Sequence, residues 1–262
     1  METFAEYILN EKDLAAKMEI MYYLAKKTGI YFNKSVVFKA EIARMFMEYM
    51  KLDIDENLVL TACLLCNCKK VDNAQKLGKL KTYTIEGALY LQSIGFDKRF
   101  CKICEEVNRY SKSEPRERES DILELADHFG GMLLDRPERI GFDADEAIVL
   151  LEHRNLKDKY NRYLHSFVDF VSEMEEIKIE DTFNIKAFKR LTKIYNETED
   201  LREFIEKIIN YYEPEIDKAM QKYIKKEEDK MFNNPNRSLF SEQTTKRIIG
   251  LIEENDLKKQ EA

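Results

Sequence analysis

A chain of 262 residues can bury one large core or two modest ones, and 44% hydrophobic with 35% charged residues excludes global disorder. Its 8 Gly and 4 Pro are too few for a sandwich or barrel, so the runs of Leu, Ile, Lys and Glu predict an all-α fold. The net charge of −7 is spread over interleaved acids and bases, with no basic block to follow a phosphate backbone, which sets nucleic acid aside as the main partner. No apolar run approaches membrane-spanning length, and METFAEYILNEKD has no basic leader region. The expectation is a cytoplasmic protein without a membrane partner. All five cysteines lie between Cys63 and Cys104, an odd number without a loop framework, which predicts reduced thiols.

In chain order, residues 11–28 carry Leu14, Met18, Met21, Tyr22 and Ala25 at helical spacing. Asn10 is the predicted cap of that helix and Gly29 its stop. A second helix is predicted over 34–51, burying Val37, Ile42, Met45, Phe46 and Tyr49. Asp53 or Asp55 starts a third, which runs into TACLLCNCKK (61–70) and then a polar loop. Thr82 or Thr84 starts a fourth, ending at Gly95, and 96–110 reads as a fifth. SKSEPRERES is a charged connection into ILELADHFGGMLL, whose paired glycines predict close packing or a helix end. Asp143 and Glu146 form a capping box for a short helix ending near Glu152. From about 156 the texture changes. One long amphipathic stretch is followed by predicted helices at 184–196, 199–213, 214–232 and 241–254, with Thr198 as a cap. This divides the chain into 1–155 and a helical extension, 156–262, packed on it.

An apolar helix ending LLCNCKK before a polar loop resembles the LLHDIGK signature of HD-superfamily phosphohydrolases. ILELADHFGGMLLDRPERIGFDADEA is similar to the HD-GYP segment ILxxADxxDAxxxDRPYRxxxxxxEA. The resemblance covers about 35–155. It implies an HD-like helical domain in which upstream His, a His-Asp doublet, further His and a late Asp hold divalent metals. Carried over, those positions are Phe38, Cys66-Asn67, Tyr83 and the segment near Glu106-Val107-Asn108, with Asp127 as the one retained ligand. The GYP loop is absent. The same resemblance places Lys69, Lys70, Arg136 and Arg139 near substrate phosphates.

The whole chain has three His (His128, His153 and His165), so no imidazole precedes residue 128. Metal-activated hydrolysis needs a charged, multi-ligand cage, and Phe38 and Tyr83 cannot supply one. The expectation is a degenerate HD domain with no catalytic residue, no cofactor and no metal of the family's kind. Cys63-x-x-Cys66 and Cys101-x-x-Cys104 read either as a replacement metal site or as small residues filling space left by His. The lysines and arginines read either as a phosphate or nucleotide site or as solvated and helix-ending groups. His128 reads as a structural His, and His153 and His165 as surface residues. The Tyr- and Phe-bearing helices after 156 read as core or as a partner surface. The functional expectation is an inactive protein acting by binding, as a regulatory or protein-interaction module with a protein partner or itself, or as a nucleotide-responsive one. The alternative is a metal-dependent phosphohydrolase with a divergent site.

Overall fold

The computed structural model describes residues 3–71, 82–109, 115–136, 139–157, 159–176, 178–179, 183–184 and 187–209. The chain is all-α. The first helix, α1 (Phe4–Asn10), starts at a capping box in which Thr3 N–H donates to Glu6 Oε2 at 2.7 Å and Glu6 N–H donates to Thr3 Oγ1 at 3.2 Å. Asn10 is therefore the last residue of α1 and not the cap of the next helix. That helix, α2 (Leu14–Thr28), is capped by Asp13, which accepts from Ala15 N–H at 3.0 Å. Gly29 ends it with φ 67°, a conformation that favours glycine.

The C-terminal carbonyls of α1 are buried and need donors. Ile8 O accepts from Lys17 Nζ and Leu9 O from Asn57 Nδ2. Lys17 is wholly buried and also donates to Thr61 Oγ1 at 2.6 Å. Burial pushes the Lys17 amine down to about 8, with the Glu11 and Asp55 carboxylates opposing. The folded value lies below the unfolded one, so the cost of the buried charge is full below pH 8 and is relieved as pH rises toward the unfolded value. Between those values wild type should gain on the order of 3 kcal/mol relative to Lys17→Met, read by urea unfolding across pH.

Helix α3 (Lys34–Met50) is the central element. Asn33 caps it, accepting from Ser35 N–H at 3.0 Å. Helix α4 (Glu56–Leu65) takes Asp55 as its cap, while Thr82 precedes α5 (Tyr83–Ser93) without a side-chain capping bond. Gly95, at φ 99°, ends the turn after α5. Helix α6 (Lys98–Glu105) begins at Asp97, shorter than the span expected from its apolar residues. Helix α7 (Arg118–Leu133) packs along α3, and α4 packs against both.

The paired glycines sit where α7 meets α3. A Cβ on Gly130 would lie 2.9 Å from Lys39 Cγ and 3.1 Å from Ile42 Cδ1. The Lys39 and Ile42 side chains occupy the place a Cβ would take, which is the reason for glycine here. Gly130→Ala should therefore destabilise by about 1–3 kcal/mol despite alanine's helix propensity, checked by chemical denaturation.

Helix α8 (Ala144–Leu150) starts at Asp143, whose N–H donates to Glu146 Oε2 at 3.3 Å, and runs into a π turn, Leu151–Asn155. The expected long amphipathic stretch after 156 is broken: its helix, α9 (Leu164–Glu176), begins only after a turn in which Asn161 Oδ1 accepts from Tyr163 N–H at 3.0 Å. Tyr163 and Phe167 are buried, but Tyr160 is 76% exposed. Two-residue strands β1 (Lys178–Ile179) and β2 (Phe183–Asn184) pair antiparallel, Lys178 opposite Asn184. Helices α10 (Ala187–Glu197) and α11 (Leu201–Ile209) follow. Asp200, not Thr198, caps α11, accepting from Glu203 N–H at 3.0 Å. Thr198 is buried, and its carbonyl takes Lys34 Nζ. The helices expected at 214–232 and 241–254 lie outside the described residues.

The core is continuous across residue 155. Phe46 of α3 packs on Phe167 of α9 with ring centroids 5.0 Å apart, and Phe129 of α7 packs on Phe188 of α10 at 5.1 Å. Such edge-to-face pairs add to the area they bury. Among the described residues no helix is long and apolar enough to cross a membrane.

A buried ionic network fixes the turn before α9. Asp121 and Glu124 of α7 are almost fully buried. Glu124 is gripped on both oxygens by Arg109, each contact 2.6 Å, and by Asn161 Nδ2 at 3.0 Å. Asp121 takes Arg116 at 2.7 Å and Arg162 at 2.6 Å. Three cations from three chain segments thus converge on two carboxylates of one helix.

Candidate functional site

Asp127 lies on α7 with its carboxyl turned toward α3 and the end of α4. Lys39 Nζ, from α3, lies 2.7 Å from Asp127 Oδ1, and Asn67 Nδ2 donates to the same oxygen at 3.0 Å. The two side chains of the ion pair are 8% and 16% exposed. Burial alone would raise the Asp127 carboxyl. The Lys39 ammonium, with Lys70 and His128 behind it, outweighs that and holds the carboxyl well below the usual range. Asp127 therefore stays ionised, with its charge met by an internal amine.

Of the positions that the family resemblance assigns to metal ligands, Phe38, Cys66 and Asn67 lie beside this pair. Phe38 precedes Lys39 on α3, is fully buried, and packs edge-on to Tyr195 of α10 with centroids 5.6 Å apart. Its Cδ1 lies 3.6 Å from the place a Cβ on Gly130 would take. Cys66 Sγ takes Asn67 Nδ2 at 3.5 Å. Tyr83 at the start of α5 and Asn108 in the turn after α6 meet through Asn108 Nδ2 and the Tyr83 hydroxyl at 3.4 Å. Glu106 points elsewhere, its Oε2 accepting from Ser120 Oγ at 2.7 Å.

Of the four cations expected at a phosphate site, Lys70 acts on Asp127, and Arg136 acts on Lys70. Lys70 follows a tight turn after α4 in which its N–H donates to Asn67 O at 2.8 Å. Its amine is pushed down to about 8, first by the Lys39 ammonium and then by burial and Arg136, with Asp127 opposing. Arg136 is exposed and donates to Gly131 O at 3.1 Å, and its guanidinium lies 3.1 Å from where a Cβ on Gly131 would stand. Arg139 is spent on the end of α7, donating to Gly131 O at 2.7 Å and Met132 O at 3.0 Å, with its plane 4.7 Å above Phe142. Lys69 turns the other way, 4.1 Å over the Tyr90 ring of α5. Arg136 and Arg139 thus serve first of all to close the end of α7.

All five cysteines are buried and free. Burial raises every one of the thiols, Cys68 to about 12 and Cys101 to about 11. Neutral S–H groups suit their partners: Cys66 Sγ donates to Cys63 O at 3.6 Å and Cys101 Sγ to Phe96 O at 3.8 Å. Cys63, Cys66, Cys101 and Cys104 are not brought together as a ligand set; among the described residues no three His, Cys, Asp or Glu are grouped to hold a metal. His128 is half-buried, 3.4 Å from Asn155 Nδ2, and burial lowers its pKa, whereas His153 and His165 are exposed.

Sequence reasoning missed Lys39. It lies on the buried face of α3 between Phe38 and Ile42, where a lysine reads as a solvated interruption. The available signal was Gly130-Gly131, which marks where something must come close to α7. A groove of about 460 Å³ lies elsewhere, between the start of α4 and the start of α7, with Asp53, Arg99, Arg118 and Glu119 among its walls. No protein-family model, curated protein or solved structure matches the chain.

Proposed function

We propose that this chain is a catalytically inactive helical protein of HD-GYP ancestry that acts by binding, as a regulatory or protein-interaction module. One observation carries the reading: the carboxylate that a divalent metal would need is already neutralised by Lys39 at 2.7 Å. A metal ion placed beside Asp127 would meet an ammonium group, with the neutral amide of Asn67 and the single imidazole of His128 near it rather than a set of imidazoles. The residues present do not fit the family's metal pair, so no hydrolytic step is assigned to them. Partner binding then falls to the surface, where Ile85 and Leu89 stand 44% and 63% exposed one turn apart on α5. Lys70 and Arg136 support the nucleotide-responsive form of the same reading.

The test is phosphodiester hydrolysis with Mn²⁺ or Mg²⁺ in excess, using bis(p-nitrophenyl) phosphate. The expected result is no turnover above buffer. Turnover that scales with protein and vanishes in Asp127→Ala would restore the alternative, a phosphohydrolase with a divergent site.

A further inference from the structure

The groove between the start of α4 and the start of α7 holds about 460 Å³, within the range of small-ligand cavities. Four carboxylates, those of Asp53, Asp55, Glu117 and Glu119, stand in its walls. Glu119 decides what the groove can take. Its side chain is 7% exposed, and its Oε1 accepts from Arg99 Nη2 at 2.5 Å. Its Oε2 is buried and has no hydrogen-bond partner among the described residues. A buried carboxylate oxygen without a donor is unfavourable and marks a place where a donor is missing. We infer that this groove binds a primary alkylammonium group, of the kind carried by short aliphatic diamines, with Glu119 Oε2 accepting from the ammonium head. The inference is independent of the Asp127 site and of the chain's ancestry.

The cations around the groove are engaged elsewhere. Arg116 is held by Asp121 at 2.7 Å, inside the buried network. Lys102 and Arg99 both meet Glu117, at 3.1 Å and 3.3 Å. Arg118 turns its Nε to the Tyr163 hydroxyl at 3.2 Å. Asp55 spends Oδ1 on Leu58 N–H at 3.0 Å as the cap of α4, and Asp53 is exposed. A metal ion is the poorer fit, because among the described residues no three His, Cys, Asp or Glu are grouped to hold one. An ammonium group asks less of the geometry: it carries three N–H donors that can serve separate acceptors. Ile54 and Pro115, apolar parts of the same walls, suit a methylene stem. A second ammonium on that stem would find Asp53 and Asp55 on the α4 side.

Calorimetric titration of the full chain in about 150 mM salt tests this, with 1,5-diaminopentane, its bis-trimethylammonium analogue and Nα-acetyl-lysine amide as probes. The diamine should bind one to one. The quaternary analogue keeps both charges but has no N–H, and it should bind about tenfold more weakly. Glu119→Gln should weaken the diamine about tenfold, and Asp53→Asn, at an exposed residue whose change leaves the fold intact, several-fold. Arg99→Ala should tighten it several-fold by freeing Glu119 Oε1, and the Arg99 side chain is 52% exposed, so the fold does not depend on it. The lysine amide separates two sources of the same group. Tighter binding than the diamine assigns the ammonium to a protein's lysine, and weaker binding assigns it to a free diamine. Failure of both amines to bind, equal binding of the diamine and its quaternary analogue, or wild-type affinity in both Glu119→Gln and Asp53→Asn would overturn the proposal.

Discussion

Lys39→Met should lower the unfolding free energy by about 3–5 kcal/mol, because Asp127 would remain buried and charged without its partner. Asp127 is held at 2.7 Å by that ammonium and at 3.0 Å by Asn67, and only the amine supplies charge. Lys70 acts on Asp127 more weakly than Lys39 and softens the loss without cancelling it. The double variant Lys39→Met/Asp127→Leu should recover most of the stability, since removing both charges also removes their desolvation cost. Urea titrations of the four proteins in the cycle measure this directly. Independent losses from the two single changes would mean that the pair is not the unit described. The pH dependence has a definite sign. The folded Asp127 pKa is depressed, so its stabilisation is complete above the ordinary aspartate value of roughly 3.9 and is lost as pH falls below it. The acid limb of stability should therefore be steeper in wild type than in Asp127→Asn.

Glu124→Ala should be comparably severe, about 3–5 kcal/mol, by taking from Arg109 its two-pronged carboxylate and leaving Asp121 alone to meet Arg109, Arg116 and Arg162. Glu124 is fully buried, so a water entering the vacated space would restore hydrogen bonds without restoring the charge. The loss should also be local in a recognisable way. Asn161 Nδ2 bonds Glu124, and Arg162 bonds the neighbouring Asp121, so the turn before α9 hangs on this network. Hydrogen exchange in Glu124→Ala should rise first at 156–163, before the core of α3 opens. Uniform exchange across the chain would show that the network does not anchor that turn.

Much of the fold was legible because its signals are local. Gly29 and Gly95 marked turns that require positive φ, and Asp55 and Asp143 marked helix starts through their own side chains. The failures came where two candidates for the same local role lay close together. Asn10 and Asp13 both suit a cap, and only the capping box at Thr3 and Glu6, which makes Asn10 the end of an earlier helix, decides between them. Thr198 and Asp200 compete in the same way, and Thr198 loses because tertiary contacts with Lys34 bury it. The break before α9 was hidden because Tyr160, Tyr163 and Phe167 keep helical spacing while Asn161 turns the chain to reach Glu124.

The resemblance supplied a set of positions and no electrostatic arrangement. Phe38, Asn67 and Asp127 are far apart in sequence, and the resemblance alone placed them together. Asn67 does bond Asp127, and Phe38 lies against the α7 glycines. Lys39 belongs to the same place, but nothing in the sequence says which of many lysines will be buried beside one carboxylate. That fact depends on α3 and α7 approaching closely enough for a lysine stem to cross between them, which Gly130 permits. Lys69 and Arg139 show the converse. Their charge suggested a phosphate site, yet a Tyr90 ring and two helix-end carbonyls already engage them.

The most direct test of the account is elemental analysis of the purified protein after equilibration with Mn²⁺ and removal of free metal. With Lys39 neutralising Asp127, the protein should retain no stoichiometric metal while remaining folded. Retention of about two equivalents, as a two-metal hydrolase requires, would contradict the account and return the chain to metal-dependent chemistry.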